Sequence, residues 1–243
     1  MSRSMETVPN FPALNGRNAL GYWFGAFLLG NIASLVAMLL VWRPAHAGET
    51  IPMRATAVSA VGLWSVFFLF LWLLSRGIGS RSMRHDYGLA VNPRDALIGV
   101  PLGVFCQFVL VNIVNWPLSR FFPDHFSAQE VEKRARELSD SAHGAWVIVL
   151  VLIVVVGAPL VEELMYRGFV QQGLSNSLGP DRALVIAAVL FAAIHFQWVE
   201  FPGLLAFALV LGWCYRRSGR LGLGIVTHMA FNAAGLLAVT LIK

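Results

Sequence analysis

Four apolar runs, Ala19–Trp42, Ala55–Ser75, Ala96–Leu118 and Ala145–Val161, dominate the first two thirds of the chain. Each is long enough to cross a bilayer as a helix, which takes about 20 apolar residues with roughly 17 as the lower end. Two shorter apolar stretches follow, Ala183–Phe196 and Phe201–Tyr215, and Leu221–Ile242 closes the chain. The pattern predicts an all-α, polytopic membrane helix bundle of about seven transmembrane or membrane-buried helices, the short ones packed around a polar site. Composition agrees: 57% of residues are hydrophobic and only 13% charged, half of the roughly 25% usual in soluble domains.

The polar segments set the organisation. Residues 1–18 read as a tail, and residues 19–243 as one membrane domain without repeats. The segment from Arg76 to Asp95 reads as a basic loop. Gly99-x-x-x-Gly103 is a possible close-packing face. Ser127-Ala-Gln-Glu130 has the form of a capping box and predicts one surface helix, with Glu130/Arg134 and Glu132/Arg136 at i,i+4 and a thin stripe of Val131, Ala135 and Leu138. The net charge of +5 comes from basic residues lying between apolar runs. That is the signature of membrane orientation, and without a basic run interleaved with aromatics it excludes nucleic acid as a partner. Arg3, Arg17, Arg76, Arg81, Arg84, Arg94, Arg182, Arg216, Arg217 and Arg220 fall on the side of the amino terminus and Arg43, Arg54, Arg120, Lys133, Arg134, Arg136 and Lys243 on the other, so the amino terminus is expected in the cytoplasm. Cys106 and Cys214 both lie in apolar runs and read as small buried hydrophobes.

Against this background a few ionisable groups stand out. Glu162 and Glu163 end the fourth apolar run, and Arg167 follows Glu163 at i,i+4, so the two can pair on a helix. Glu162 lies about 100° round the helix and points elsewhere. His195 shares a helix face with Phe191, and His228 shares one with Asn232. Scattering such groups in lipid costs far more than gathering them around one wet cavity. A gathered set of this kind supports water activation: a carboxylate as base, a histidine to pass the proton on, and imidazole or carboxamide N–H groups for an oxyanion. Two histidines and a carboxylate equally suit a divalent metal such as zinc. The chain has no H-E-x-x-H helix and no G-x-S-x-G elbow.

Three motifs in one order, Glu162-Glu163-x-x-x-Arg167, Phe191-x-x-x-His195 and His228-x-x-x-Asn232, resemble the CAAX-protease and bacteriocin-processing (CPBP, or Abi) family. The resemblance implies an intramembrane endopeptidase whose catalytic region covers about residues 145–240, similar to type II CAAX prenyl endopeptidases. It further implies that Glu162 and His195 activate water and that His228 and Asn232 hold the oxyanion, with Glu163 and Arg167 orienting Glu162 and Phe191 supporting the site. No cofactor is expected to be required, a divalent metal being the alternative. The expected partners are a peptide or membrane-protein substrate and the lipid bilayer, in a bacterial plasma membrane. Two other readings keep the cavity: a non-catalytic immunity or partner-binding protein, and a proton-coupled transporter. A relay would need ionisable groups across the first three runs, which offer none between their ends.

Overall fold

The computed structural model describes residue 11 and residues 14–46 and 48–241, the side chains at 128, 129, 131, 132 and 134 excepted. Residues 1–10 of the tail, both expected ion pairs of the surface helix and Val131 lie outside the described residues. Among the described residues there are nine helices and no strand. They are α1 (Gly16–Val41), α2 (Met53–Gly77), α3 (Met83–Asp86), α4 (Pro93–Phe121), α5 (Ala128–Asp140), α6 (Trp146–Leu178), α7 (Pro180–Ala193), α8 (Phe201–Ser218) and α9 (Gly222–Leu241). Five of them, α1, α2, α4, α6 and α9, are long and apolar enough to span a membrane. Of the seven expected, the other two, α7 and α8, fall short of that criterion.

Small residues decide which helices touch. A Cβ on Gly62 would lie 2.9 Å from the Ala33 carbonyl oxygen, so α1 and α2 approach there backbone to backbone, and the Ser34 and Ser59 hydroxyls join them at 2.6 Å. The Gly99/Gly103 face packs on α9, where a Cβ on Gly103 would come within 2.8 Å of the Phe231 nitrogen. This close seat brings α9 into the bundle and carries His228 with it.

Two segments differ from their sequence reading. The end of the tail is built into the bundle: α1 begins at Gly16, and Phe11 and Leu14 are buried. Asn176 Nδ2 donates to the carbonyls of Phe11 and Leu14, and the Gly16 amide donates to Ser177 Oγ at 2.7 Å. The expected loop before Asp95 contains the single turn α3 and two buried anchors that its basic composition hides. Tyr87 donates from its hydroxyl to the Leu71 carbonyl. Asp86 accepts from Ser75 Oγ at 2.6 Å and from the Ser80 amide at 2.9 Å. Burial works against the Asp86 carboxylate, yet the hydrogen bonds from Ser75 and Ser80 outweigh it and hold its pKa below the ordinary value. The surface helix α5 starts as expected, with Ser127 Oγ accepting from the Glu130 amide.

Candidate active site

The site is built where α6 leaves regular α geometry. Residues Leu152–Gly157 and Leu164–Gln171 are wound as π-helix, on either side of Ala158–Glu163. Such bulges rotate the side chains that follow and recur at functional sites. Here they present two neighbouring carboxylates to different surroundings.

Glu163 is fully buried and tied down. Its Oε1 accepts from Arg167 Nη1 at 2.8 Å, and the side chains of both residues are 1% exposed. Arg167 Nη2 also donates to the Ala208 carbonyl of α8, and its guanidinium lies over the Phe191 ring at 4.6 Å. Glu163 Oε1 meets a third group, His228 Nδ1, at 3.2 Å. A Cβ on Gly224 would lie 2.7 Å from Glu163 Oε2, so glycine is what lets α9 pass this carboxylate. Glu162 is different: its side chain is 24% exposed and its Oε2 is 3.8 Å from His228 Nε2. That distance exceeds hydrogen-bond reach, so the nitrogen and the carboxylate face each other across a gap.

His195 stands two residues beyond the end of α7, where Phe196 turns to φ 52°. Its Nδ1 is 2.8 Å from the Phe191 carbonyl. A carbonyl only accepts, so Nδ1 carries the proton and, in the neutral ring, Nε2 carries the lone pair. Phe191 is the hub of the cluster. Its ring centroid is 4.9 Å from that of His195, 5.9 Å from His228 and 5.3 Å from Tyr166, with the Arg167 cation on its face. Glu162, Glu163, Arg167, Phe191, His195 and His228 are therefore brought together.

Two of these side chains have partners that the sequence does not reveal. Glu163 Oε1 meets both Arg167 and His228 Nδ1. Asn232 has a helix to serve. The Ala158 amide bonds the Ile153 carbonyl, five residues back. In that register position 159 would donate to the Val154 carbonyl, but Pro159 has no N–H. Asn232 Nδ2 donates to this orphaned oxygen at 2.8 Å. A second N–H remains on the same carboxamide.

Tyr166 and Phe207 escaped the sequence reading. Phe207 packs its edge against His228 at 5.3 Å. Tyr166 was within reach of the helical period, being at i+4 from Glu162; Phe207, among many apolar residues of α8, carries no signal. Among the described residues no cluster of three or more His, Cys, Asp or Glu side chains is arranged to hold a metal ion. Glu163 Oε1 is engaged by Arg167 and His228, and His195 Nδ1 by a carbonyl.

The family described as "Type II CAAX prenyl endopeptidase Rce1-like" matches residues 144–234, the stretch that carries all of these groups. The chain is 20% identical over 220 residues to a Bacillus subtilis (strain 168) protein described as "Putative membrane peptidase YdiL", covering 87% of this chain and 86% of that protein. It is 26% identical over 243 residues to "Uncharacterized protein YyaK" of the same strain, covering 90% and 78%. No solved structure matches.

Proposed function

Because the chain belongs, through residues 144–234, to the Rce1-like type II CAAX prenyl endopeptidase family, and is a membrane peptidase by that membership, we propose that it hydrolyses a peptide bond with water activated between Glu162 and His195. The observation that carries this reading is the divided environment of two adjacent carboxylates. Glu163 is held by Arg167 and His228, whereas Glu162 is partly exposed and faces His228 across a gap. Paired carboxylates in unlike surroundings take unlike roles.

In the proposed reaction Glu162 takes the proton of a water as its oxygen attacks the scissile carbonyl carbon. His195, with its Nε2 lone pair, relays that proton to the leaving nitrogen as the C–N bond breaks. His228, carrying a proton on each ring nitrogen, donates Nδ1–H to Glu163 and turns Nε2–H toward the developing oxyanion, with the second Asn232 N–H beside it. Glu163 is thus a positioning residue for His228. The substrate is a peptide or membrane protein that reaches the site laterally, in a bundle where α7 and α8 pack among the five spans and α5 rests on the surface. The amino terminus lies in the cytoplasm. Comparing the peptides of membranes that hold the native chain or its Glu162→Gln variant tests the reading. A peptide cut only by the native chain supports it, and identical cleavage by both ends it.

The two duties of Asn232 can be separated. Asn232→Ala leaves the Val154 carbonyl without its partner, at a cost of about 1–3 kcal/mol. In a Pro159→Ala background residue 159 supplies the missing N–H, so the same substitution should cost much less, a coupling that a double-mutant cycle reads directly. Cleavage should stay lost in both backgrounds. If Pro159→Ala restores cleavage together with stability, Asn232 serves only the helix.

Activity should also survive prolonged chelation. A zinc set needs three protein ligands and a water, and recruiting Glu162, His195 and His228 would remove the base and an oxyanion donor together. The check is turnover of purified protein after chelation, with metal content measured alongside. Loss that one equivalent of zinc restores would replace this mechanism with a metal-assisted one.

A further inference from the structure

A polar cavity lined by none of the glutamate-cluster residues opens at the end of the bundle where α3 and the start of α4 meet the α8–α9 turn. It holds about 310 Å³ and is lined by Arg84, His85 and Arg220 together with Ser82, Asn92 and Ser218. Its walls are cross-braced. The Leu221 amide donates to the Gly88 carbonyl at 2.8 Å and the Gly222 amide to the Ala90 carbonyl at 3.1 Å, joining segments far apart in sequence. Gly88 and Gly219 adopt φ of 68° and 67°, which side chains other than glycine rarely allow. Arg220 is gripped at both terminal nitrogens by buried Asp95, whose Oδ1 accepts from Nη2 at 2.7 Å. Asp95 also accepts from the Asn92 amide.

The charges balance as follows. Asp95 neutralises Arg220, and Asp86 faces His85 at 3.6 Å. Arg84 stands exposed at the rim with its full charge. Arg76 and Arg81 beside the end of α2 and Arg217 at the end of α8 lie at the same end of the bundle and add a long-range positive field. With Arg220 held by Asp95, the cavity offers the Ser82 hydroxyl, the Asn92 carboxamide, the His85 ring and the forked guanidinium of Arg84, the chemistry that recognises phosphate.

Depth narrows the source. The candidate spans α2, α4 and α9 have ends here, at Gly77, Pro93 and Gly222. The cavity thus lies where hydrocarbon gives way to headgroups, on the side that the basic residues assign to the cytoplasm. Anionic headgroups are bound by basic pockets between membrane helices on that side. His228 is six residues along α9 from Gly222, so the catalytic cluster sits only about 9 Å deeper by helical rise.

We propose that this cavity binds a phosphoester anion, with the headgroup phosphate of an anionic lipid as its occupant. Nothing in the catalytic cluster enters the argument, so it stands or falls separately from the hydrolysis. The test is native mass spectrometry of the full chain released from detergent, after incubation with phosphatidylglycerol or with phosphatidylcholine. The native chain should retain phosphatidylglycerol selectively. Arg84→Gln combined with His85→Gln should weaken that retention roughly ten-fold or more, the value of a charge-assisted hydrogen bond. Arg94→Gln, an exposed charge on the same face, should leave it unchanged. Both Arg84 and His85 are exposed, and an unaltered Tm in phosphatidylcholine verifies that the variant is folded. A parallel arm titrates inorganic phosphate and follows Tm. Stabilisation of the native chain alone by phosphate, without selective lipid retention, keeps the phosphoester site and assigns it to a soluble source. Lipid retention that falls equally with Arg94→Gln, or that ignores Arg84 and His85, overturns the site and leaves only diffuse attraction to an anionic surface.

Discussion

Replacing Glu162 by Gln is expected to lower peptide cleavage by about 10²-fold or more, the usual contribution of a general base, with little change in melting temperature. Gln keeps the shape but cannot take the proton. The side chain is 24% exposed and makes its nearest charged approach at 3.8 Å, so little of the fold depends on it. Glu163→Gln makes the informative contrast. Glu163 is buried, and its Oε1 serves both Arg167 and His228, so that variant should lose stability as well as turnover. Near-normal turnover by Glu162→Gln, with loss confined to Glu163→Gln, would move the base to the inner carboxylate. Turnover that survives both substitutions would take the chemistry away from this cluster.

Arg167→Ala is expected to be the most damaging single change to the fold, costing about 3–5 kcal/mol, because it strands a buried carboxylate without its cation. Arg167 is fully buried and binds three elements at once: Glu163 on its own helix, the Ala208 carbonyl on α8 and the Phe191 face on α7. The pair between Arg216 and Asp181 sets the scale. Those side chains are 45% and 81% exposed, and an ion pair in water contributes only about 0–1 kcal/mol. Arg216→Ala should therefore melt almost with the parent, while Arg167→Ala should unfold at markedly lower temperature or denaturant. An Arg167→Ala variant that melts like the parent yet fails to cleave would show that the guanidinium meets substrate instead of anchoring Glu163.

The Gly99/Gly103 pair illustrates how far local spacing reaches. The sequence marks a face where a neighbour can come close, but only the packed bundle shows that the neighbour is α9. The Glu163–Arg167 pair is of the opposite kind. Both groups lie on α6, four residues apart, and the structure joins them at 2.8 Å. The buried Asp86 and the Asp95–Arg220 pair were invisible, because nothing in a basic, polar segment distinguishes an acid that will be covered from one left in water.

What the sequence determined by itself is therefore whatever depends on length and helical period. It marked an all-helical chain with long apolar runs, five of whose helices are able to span a membrane, together with the α5 start at Ser127, the shared face of Glu163 and Arg167, and the order of the three polar motifs. Tertiary structure alone decided which group on one helix meets which on another. It set His228 against both Glu163 and Glu162, and joined Asn232 to the carbonyl that Pro159 leaves open. It also closed a basic cavity from residues on both sides of α4–α8. The reason is physical. Partners within a helix follow from a repeat of 3.6 residues that every helix obeys. Partners between helices follow from how closely two backbones approach and how a π bulge turns the next side chain, and both are set by packing along the whole bundle.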